Sequence, residues 1–336
     1  MEAPQISIII PTYNRCDMLC DALASLLRQE TGGEFRYEIV VVDNASSDAT
    51  KAVVHEVAAD APVPVRYAYQ AVSGDAPSRN RGIAQSRGRW LAFFDDDQLA
   101  APDWLRQLYR AARESKAAVV GGAVRLDLPE NVLHRLGRDV RHTSLREVDY
   151  YPNIHPYTGK RLPGCGNALV ERRAFETIGT FDEAMAWGGS DSDFFLRART
   201  AGLALYYTPH AVIRHRIPPN RLTLEYIRWD AQQGCDALAC HDFKRHGRLV
   251  LAMLCLARVA QALLVAVLKL IWGWVRSDPG KVLGQRMRLW RAEGYARRTL
   301  AILAPAWLRQ ERYFAYLEFR KGRTVGQQVG SVEVAS

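Results

Sequence analysis

The six cysteines, Cys16, Cys20, Cys165, Cys235, Cys240 and Cys255, include no C-x-x-C pair. Their spacings match no zinc pattern, so they read as buried free thiols in a reducing compartment. No G-x-G-x-x-G follows the first apolar run, and no G-x-x-x-x-G-K-[ST] occurs anywhere. A dinucleotide oxidoreductase and a P-loop ATPase are therefore disfavoured. The opening MEAPQISIII lacks the basic stretch of a secretory signal, which makes the cytosol the expected location of the body. Internal repeats and low-complexity tracts are also missing. The basic residues of the C-terminal part are scattered among apolar ones without a recognition motif, so no nucleic-acid partner is expected.

What is present is a chain of 336 residues, 48% hydrophobic and 24% charged, which argues against disorder and for one large domain or a domain with an extension. The formal net charge of +9 is uneven. Residues 244–336 hold 17 Lys and Arg against 5 Asp and Glu, while residues 1–243 hold 28 against 31. A near-neutral body with a cationic tail points to an anionic surface as the partner of the tail.

Apolar, β-branched runs at 6–10, 38–42, 65–69, 90–94 and 117–126 alternate with helical periodicity at 17–28, 46–57, 76–86 and 103–115. Ser46 or Ser47 is the expected N-cap of the second helix. Alternation at this spacing predicts a mainly parallel, Rossmann-like α/β sheet with helices on both faces. Residues 127–163 read as a long loop region with local structure that lines a site, and short strands are expected at 203–207 and 211–215. From residue 222 the chain reads as helical. The stretch 249–275 is apolar, interrupted by Arg258, Gln261 and Lys269, which share one face. A helix lying in a membrane interface fits this pattern better than a single span; packing on the body or in a dimer is the other alternative. Trp272, Trp274, Trp290 and Trp307 among basic residues favour the interface.

In an open parallel sheet, ligands bind beyond the carboxyl ends of the strands. Pro11-Thr12-Tyr13-Asn14-Arg15 follows the first strand, Asp43-Asn44 the second, and Asp95-Asp96-Asp97 the fourth. Three adjacent carboxylates repel one another unless a cation neutralises them. A hard divalent ion with open positions for phosphate would do so. Asp43 could accept from a nucleobase or ribose, or cap the next helix. Arg79 could pair with a diphosphate or be a surface charge. Asp191, in the turn Trp187-Gly188-Gly189-Ser190-Asp191, could cap a helix or act as a general base. His215 could be structural or a metal ligand.

Six segments in order resemble bacterial family 2 glycosyltransferases: SIIIPTYNR, VVDNASSDAT, SRNRGIAQSRGRWLAFFDDD, PDWL, GCGNALVERRAFETIGTFDE and GGSDSDFFLRA. The resemblance covers roughly residues 5–216 and implies a GT-A fold and inverting chemistry. It implies a donor pocket of Pro11, Thr12, Tyr13, Arg15, Asp43, Asn44, Arg79, Asp95 and Asp96. It further implies Asp97 as the main ligand of Mn²⁺ or Mg²⁺, with Asp95 and His215 assisting, and Asp191 as the catalytic base. Gly166, Asn167, Trp187 and Gly189 would lie near the acceptor. Family members usually carry Glu-Asp where this chain has Ser190-Asp191, a departure that bears on the acceptor class. The expected organisation is a nucleotide-sugar transferase domain over 1–220 and a helical extension over 221–336. The expected partners are a nucleotide sugar, a lipid-linked or glycan acceptor, and an anionic inner-membrane surface. A non-catalytic binding protein of the same fold and a related nucleotidyltransferase are the competing readings; the oligomeric state is left open.

Overall fold

A computed structural model describes residues 3–185, 189–275 and 278–304. The chain divides into two compact units. Among the described residues, the first comprises 3–125 and 148–215, the second 126–147 and those from Arg216 to residue 304.

The first unit opens with strand β1 (Ile6–Thr12), helix α1 (Cys16–Leu27), β2 (Tyr37–Asp43), α2 (Thr50–Asp60), β3 (Val65–Tyr69), α3 (Asp75–Gln85) and β4 (Trp90–Phe94). β5 (Gln98–Ala100), α4 (Trp104–Ser115) and β6 (Val119–Leu126) follow. After an excursion into the second unit through α5 (Glu130–Thr143), the chain returns as β7 (His155–Pro156), β8 (Asn167–Glu171), α6 (Arg172–Ile178), α7 (Ser190–Thr200) and β9 (Leu205–His215). The sheet runs β3-β2-β1-β4-β8-β6-β9-β5, with β7 paired to β9. β3, β2, β1 and β4 are mutually parallel. β8 pairs antiparallel with both β4 and β6, and β9 with β5 and β7.

β1 and β2 are apolar at nearly every position because both faces of the sheet are covered. Ile6, Ile8 and Ile10 join Leu19, Leu23, Ile39 and Val41 in one core. Ile9, Val40 and Val42 face the other, with Ile83, Phe93 and Phe194. α3 lies close on β1 because Gly82 offers no side chain: a Cβ there would stand 2.3 Å from Ile9 Cγ2. Beneath the antiparallel half, Trp104 donates its indole N–H to Asn167 Oδ1 at 2.8 Å. The Asn167 amide donates to the carbonyls of Ala123 and Ala211, so the side chain is consumed tying α4, β6, β8 and β9 together.

Several sequence expectations are corrected. The second helix begins at Thr50, not Ser46, and neither Ser46 nor Ser47 caps it. Asp48 instead accepts from the Thr50 amide and hydroxyl. The strands expected at 203–207 and 211–215 are one strand, β9. The region read as a loop, 127–163, contains α5. The single boundary expected after residue 220 is replaced by an interleaved division, because Leu126–Glu147 joins the second unit.

That unit continues from a 3-10 turn (Pro219–Leu222) into α8 (Leu224–Val275), which breaks at Gly247 with φ +76°, and α9 (Pro279–Leu303). Leu136, Val140 and Leu145 from the α5 region bury against Ile227, Ala231 and Met287. α5 and α9 meet backbone to backbone: a Cβ on Gly137 would lie 2.6 Å from the Gly280 carbonyl oxygen. Trp290 packs on this core and lies beneath Arg286. Of the other tryptophans expected at a membrane, Trp307 and the side chains of Trp272 and Trp274 lie outside the described residues.

Candidate active site

The carboxyl ends of β1, β2 and β4 lie side by side, with Thr12 in register with Asp43 and Ile9 with Phe93. This brings the turn after β4 beside the end of β1. Thr12 donates its hydroxyl to Asp96 at 2.7 Å, and Arg15 donates to Asp96 at 2.9 Å and to Asp97 at 3.0 Å. Burial opposes the Arg15 charge, but Asp96 and Asp97 outweigh it and hold the guanidinium above its usual pKa. The antiparallel pairing of Gln98 with His215 delivers the end of β9 to the same turn. His215 Nε2 stands 3.6 Å from Asp97 Oδ1, with both residues almost fully buried.

Asp95 points elsewhere. Its carboxylate faces Arg79 across 3.8 Å and accepts from the Gln98 side chain. Its side chain is 38% exposed. Dense protein surroundings lift the carboxyl pKa to about 6: burial is the largest cause, Asp97, Asp96 and Asp75 add to it, and Arg79 opposes. Gly166 makes this arrangement possible, since a Cβ at that position would come within 2.6 Å of Asp95 Oδ2.

Arg79 sits on α3 with its side chain 12% exposed. Burial opposes its charge, yet Cys165, Asp75, Asp95 and Asp191 together hold it above its ordinary pKa. Asp191 occupies the first turn of α7, where the positive end of the helix dipole favours a carboxylate. Gly189 caps that helix with φ +89°, a conformation that favours glycine. Asp191 accepts from the Ser192 amide at 2.7 Å, while Ser190 is buried. Trp187 lies outside the described residues.

The expected donor residues at β1 and β2 form a laced wall. Asp43 is 2% exposed and accepts from the Ser46 amide at 2.8 Å and the Tyr67 hydroxyl at 2.7 Å. Ionised, it keeps acceptor capacity beyond these two bonds. The Asn44 amide binds the carbonyls of Gln70 and Val72 and accepts from the Gly74 amide, so it shapes the loop before α3. Asn14, at φ +49°, accepts from the Ser47 amide and clasps the two loops together. Pro11 pairs with Val42 in the sheet, and Tyr13 is half-buried in the loop beyond it.

The structure thus gathers Thr12, Arg15, Asp96, Asp97 and His215 at one point. Arg79 and Asp95 pair at another, and Asp191 lies within electrostatic reach of Arg79. Asn167 is not brought to the cleft: it is 4% exposed and its amide is spent on the core. Gly166 serves the Asp95 carboxylate. Sequence reasoning missed Asp75, Gln98 and Cys165. Asp75 stands one helical turn before Arg79, a spacing visible in the sequence. Cys165, between Gly164 and Gly166, carried no signal apart from its glycines. The expected three-ligand set of Asp95, Asp97 and His215 does not close: among the described residues no three such side chains converge into a metal cage. The nearly buried Asp97–His215 pair, with a second carboxylate adjacent, suits a divalent ion held by one or two protein groups and completed by phosphate and water.

A mixed sheet flanked by helices matches solved glycosyltransferases of GT-A fold. The mannosyltransferase PcManGT of Pyrobaculum calidifontis, solved with GDP-Man and Mn²⁺, superposes with a TM-score of 0.59 at 18% identity, covering 88% of each chain. Residues 7–179 match the family model for glycosyl transferase family 2, and the chain belongs to that family. The succinoglycan biosynthesis protein ExoM of Rhizobium meliloti is 29% identical over 231 residues, 67% of this chain and 71% of ExoM. ExoO of the same organism is 32% identical over 209 residues, 59% of this chain and 56% of ExoO. The protein is a glycosyltransferase with relatives in exopolysaccharide synthesis.

Proposed function

We propose that this enzyme moves a sugar, with inversion, from a nucleoside diphosphate donor of uridine type to a lipid-linked or growing polysaccharide acceptor of the cell envelope. The observation that carries the reading is the pairing of the nearly buried Arg79 with Asp95 across 3.8 Å, with Asp191 within electrostatic reach. A buried cation facing a carboxylate from another element suits a site that receives an anionic diphosphate. Thr12, Arg15 and Asp43 line the nucleotide side of the cleft. Asp97 and His215 would hold Mn²⁺ or Mg²⁺; His215 favours Mn²⁺ because imidazole is a softer ligand than carboxylate. A bound divalent ion would neutralise the charge that develops on the departing diphosphate. Asp191 takes the proton of the acceptor hydroxyl as that oxygen attacks the anomeric carbon. One carboxylate used as a base, with no second nucleophile, accords with inversion.

The first test is thermal stabilisation by UDP, GDP, dTDP and CDP, with and without Mn²⁺. At about 100 times Kd a ligand adds roughly 2.7 kcal/mol. UDP with Mn²⁺ is expected to stabilise the wild type and Asp191→Asn equally, and Asp97→Ala hardly at all. Asp191→Asn should lose about 10²–10⁴ in kcat while keeping nucleotide affinity. Absence of a shift with every nucleotide, in folded protein, overturns the donor-site reading.

A further inference from the structure

α8 carries an uncovered apolar face whose chemistry fits one kind of partner. Within Arg245–Val265 the most apolar 18 residues have a mean hydropathy of 1.9, yet only 6% of them are buried. Leu249 is 83% exposed, Met253 69%, Leu256 73%, Leu263 54% and Leu264 68%. At 100° per residue these five fall within a single stripe roughly 100° wide and about 22 Å long. Arg258 lies on the opposite side of the helix. There it pairs with Asp242 at 3.0 Å and stacks over the Tyr295 ring at 4.4 Å. Soluble monomers rarely leave a contiguous apolar strip of this size uncovered.

Charge selects among the occupants. Between Asp242 and Asp278 the sequence has no acidic residue, but it has Lys244, Arg245, Arg248, Arg258, Lys269 and Arg276. Two copies meeting on this face would bring together Arg245 and Arg248, both exposed at the start of the stretch, with no acidic residue between 243 and 277 to pair them. Among the described residues, Arg248 reaches only the carbonyls of Ile302 and Leu303. A bilayer crossing would draw the Arg258–Asp242 pair, and the arginines of α9 behind it, into hydrocarbon. A surface of acyl chains beneath anionic headgroups satisfies both the leucine stripe and the exposed Arg245 and Arg248 at its start. We propose that α8 docks in the plane of an anionic lipid bilayer through Leu249, Met253, Leu256, Leu263 and Leu264, without crossing it.

The test uses the full-length protein in flotation with vesicles of phosphatidylcholine alone or mixed with phosphatidylglycerol. It compares the wild type with a variant carrying Leu249→Gln, Leu256→Gln and Leu264→Gln. These side chains are exposed, so the variant is expected to keep its melting temperature and its response to UDP and Mn²⁺. Wild type should float with the phosphatidylglycerol vesicles and be released by alkaline carbonate, and the variant should lose at least about tenfold in binding. A variant that floats as well as wild type overturns the proposal, as does a wild type that ignores anionic vesicles. Resistance to carbonate would instead indicate a span, and a doubled solution mass that the variant halves would indicate a dimer face; either result overturns the proposal too. Because the nucleotide response is read on the same samples, failure here is separable from failure of the donor-site reading.

Discussion

Arg15 illustrates how a single side chain fills an electrostatic need. Asp96 and Asp97 are each 5% exposed, and burial, with Asp97 beside it, holds the Asp96 carboxyl above its usual range although Arg15 opposes. Arg15 reaches both at hydrogen-bond distance and supplies the missing cation from within the chain. A divalent ion bound at Asp97 must share or displace that contact. Arg15→Gln is therefore expected to tighten Mn²⁺ binding to the nucleotide-free protein by roughly tenfold, because a competing charge is removed. Isothermal titration of Mn²⁺ without nucleotide checks this, and an unchanged or weaker affinity would show that Arg15 does not compete. The aspartates themselves were legible in the sequence, since three carboxylates after a buried strand have few other uses. Their division of labour was not: Asp96 and Asp97 turn to Arg15 while Asp95 turns to Arg79.

At the scale of elements, α3 is held to β1 by an absence. With a Cβ at Gly82, Ile9 Cγ2 would be met at 2.3 Å and Val42 Cγ2 at 3.2 Å, and both of those residues are fully buried in the sheet. Gly82→Ala should therefore cost about 1–3 kcal/mol, the range for overpacking a tight core, despite alanine's better helix propensity. Denaturant unfolding measures it; a stabilised variant would mean that the interface yields. α5 shows why a real helix can escape notice. Val132, Leu133, Leu136 and Val140 have helical spacing, but Gly137 at φ +68° breaks the helix among charged and histidine residues. Its apolar side is covered largely by residues far along the chain, Ile217, Ile227, Ala231 and Met287 among them. β9 was split by Pro209 for a related reason: proline reads as a turn, yet here it falls between the stretch paired with β7 and the stretch paired with β5.

Across the whole molecule, chain order and compact units do not coincide. The second unit takes Leu126–Glu147 from between strands of the first, so no single cut separates the two. A chain ended after His215 would keep α5 but lose Ile227, Ala231 and Met287, leaving Leu136, Val140 and Leu145 bare. Such a truncation is expected to be insoluble or aggregated, and a shorter chain that also replaces residues 126–147 by a brief linker should be better behaved. Soluble yield and light scattering of the two truncations decide the matter; a monodisperse first truncation would show that the α5 region tolerates exposure.

The sequence by itself determined the parallel half of the sheet, the run of carboxylates at its carboxyl edge and the family. Each rests on local pattern: β-branched runs covered on both faces, turns at strand ends, and motifs in fixed order. Only the tertiary structure decided the antiparallel half, the role of Asn167 as a core tie and the pairing of Arg79 with Asp95. Strand direction and side-chain partnership join residues tens of positions apart. A local pattern cannot carry that information, because the free energy favouring one partner over another arises only when the chain has packed.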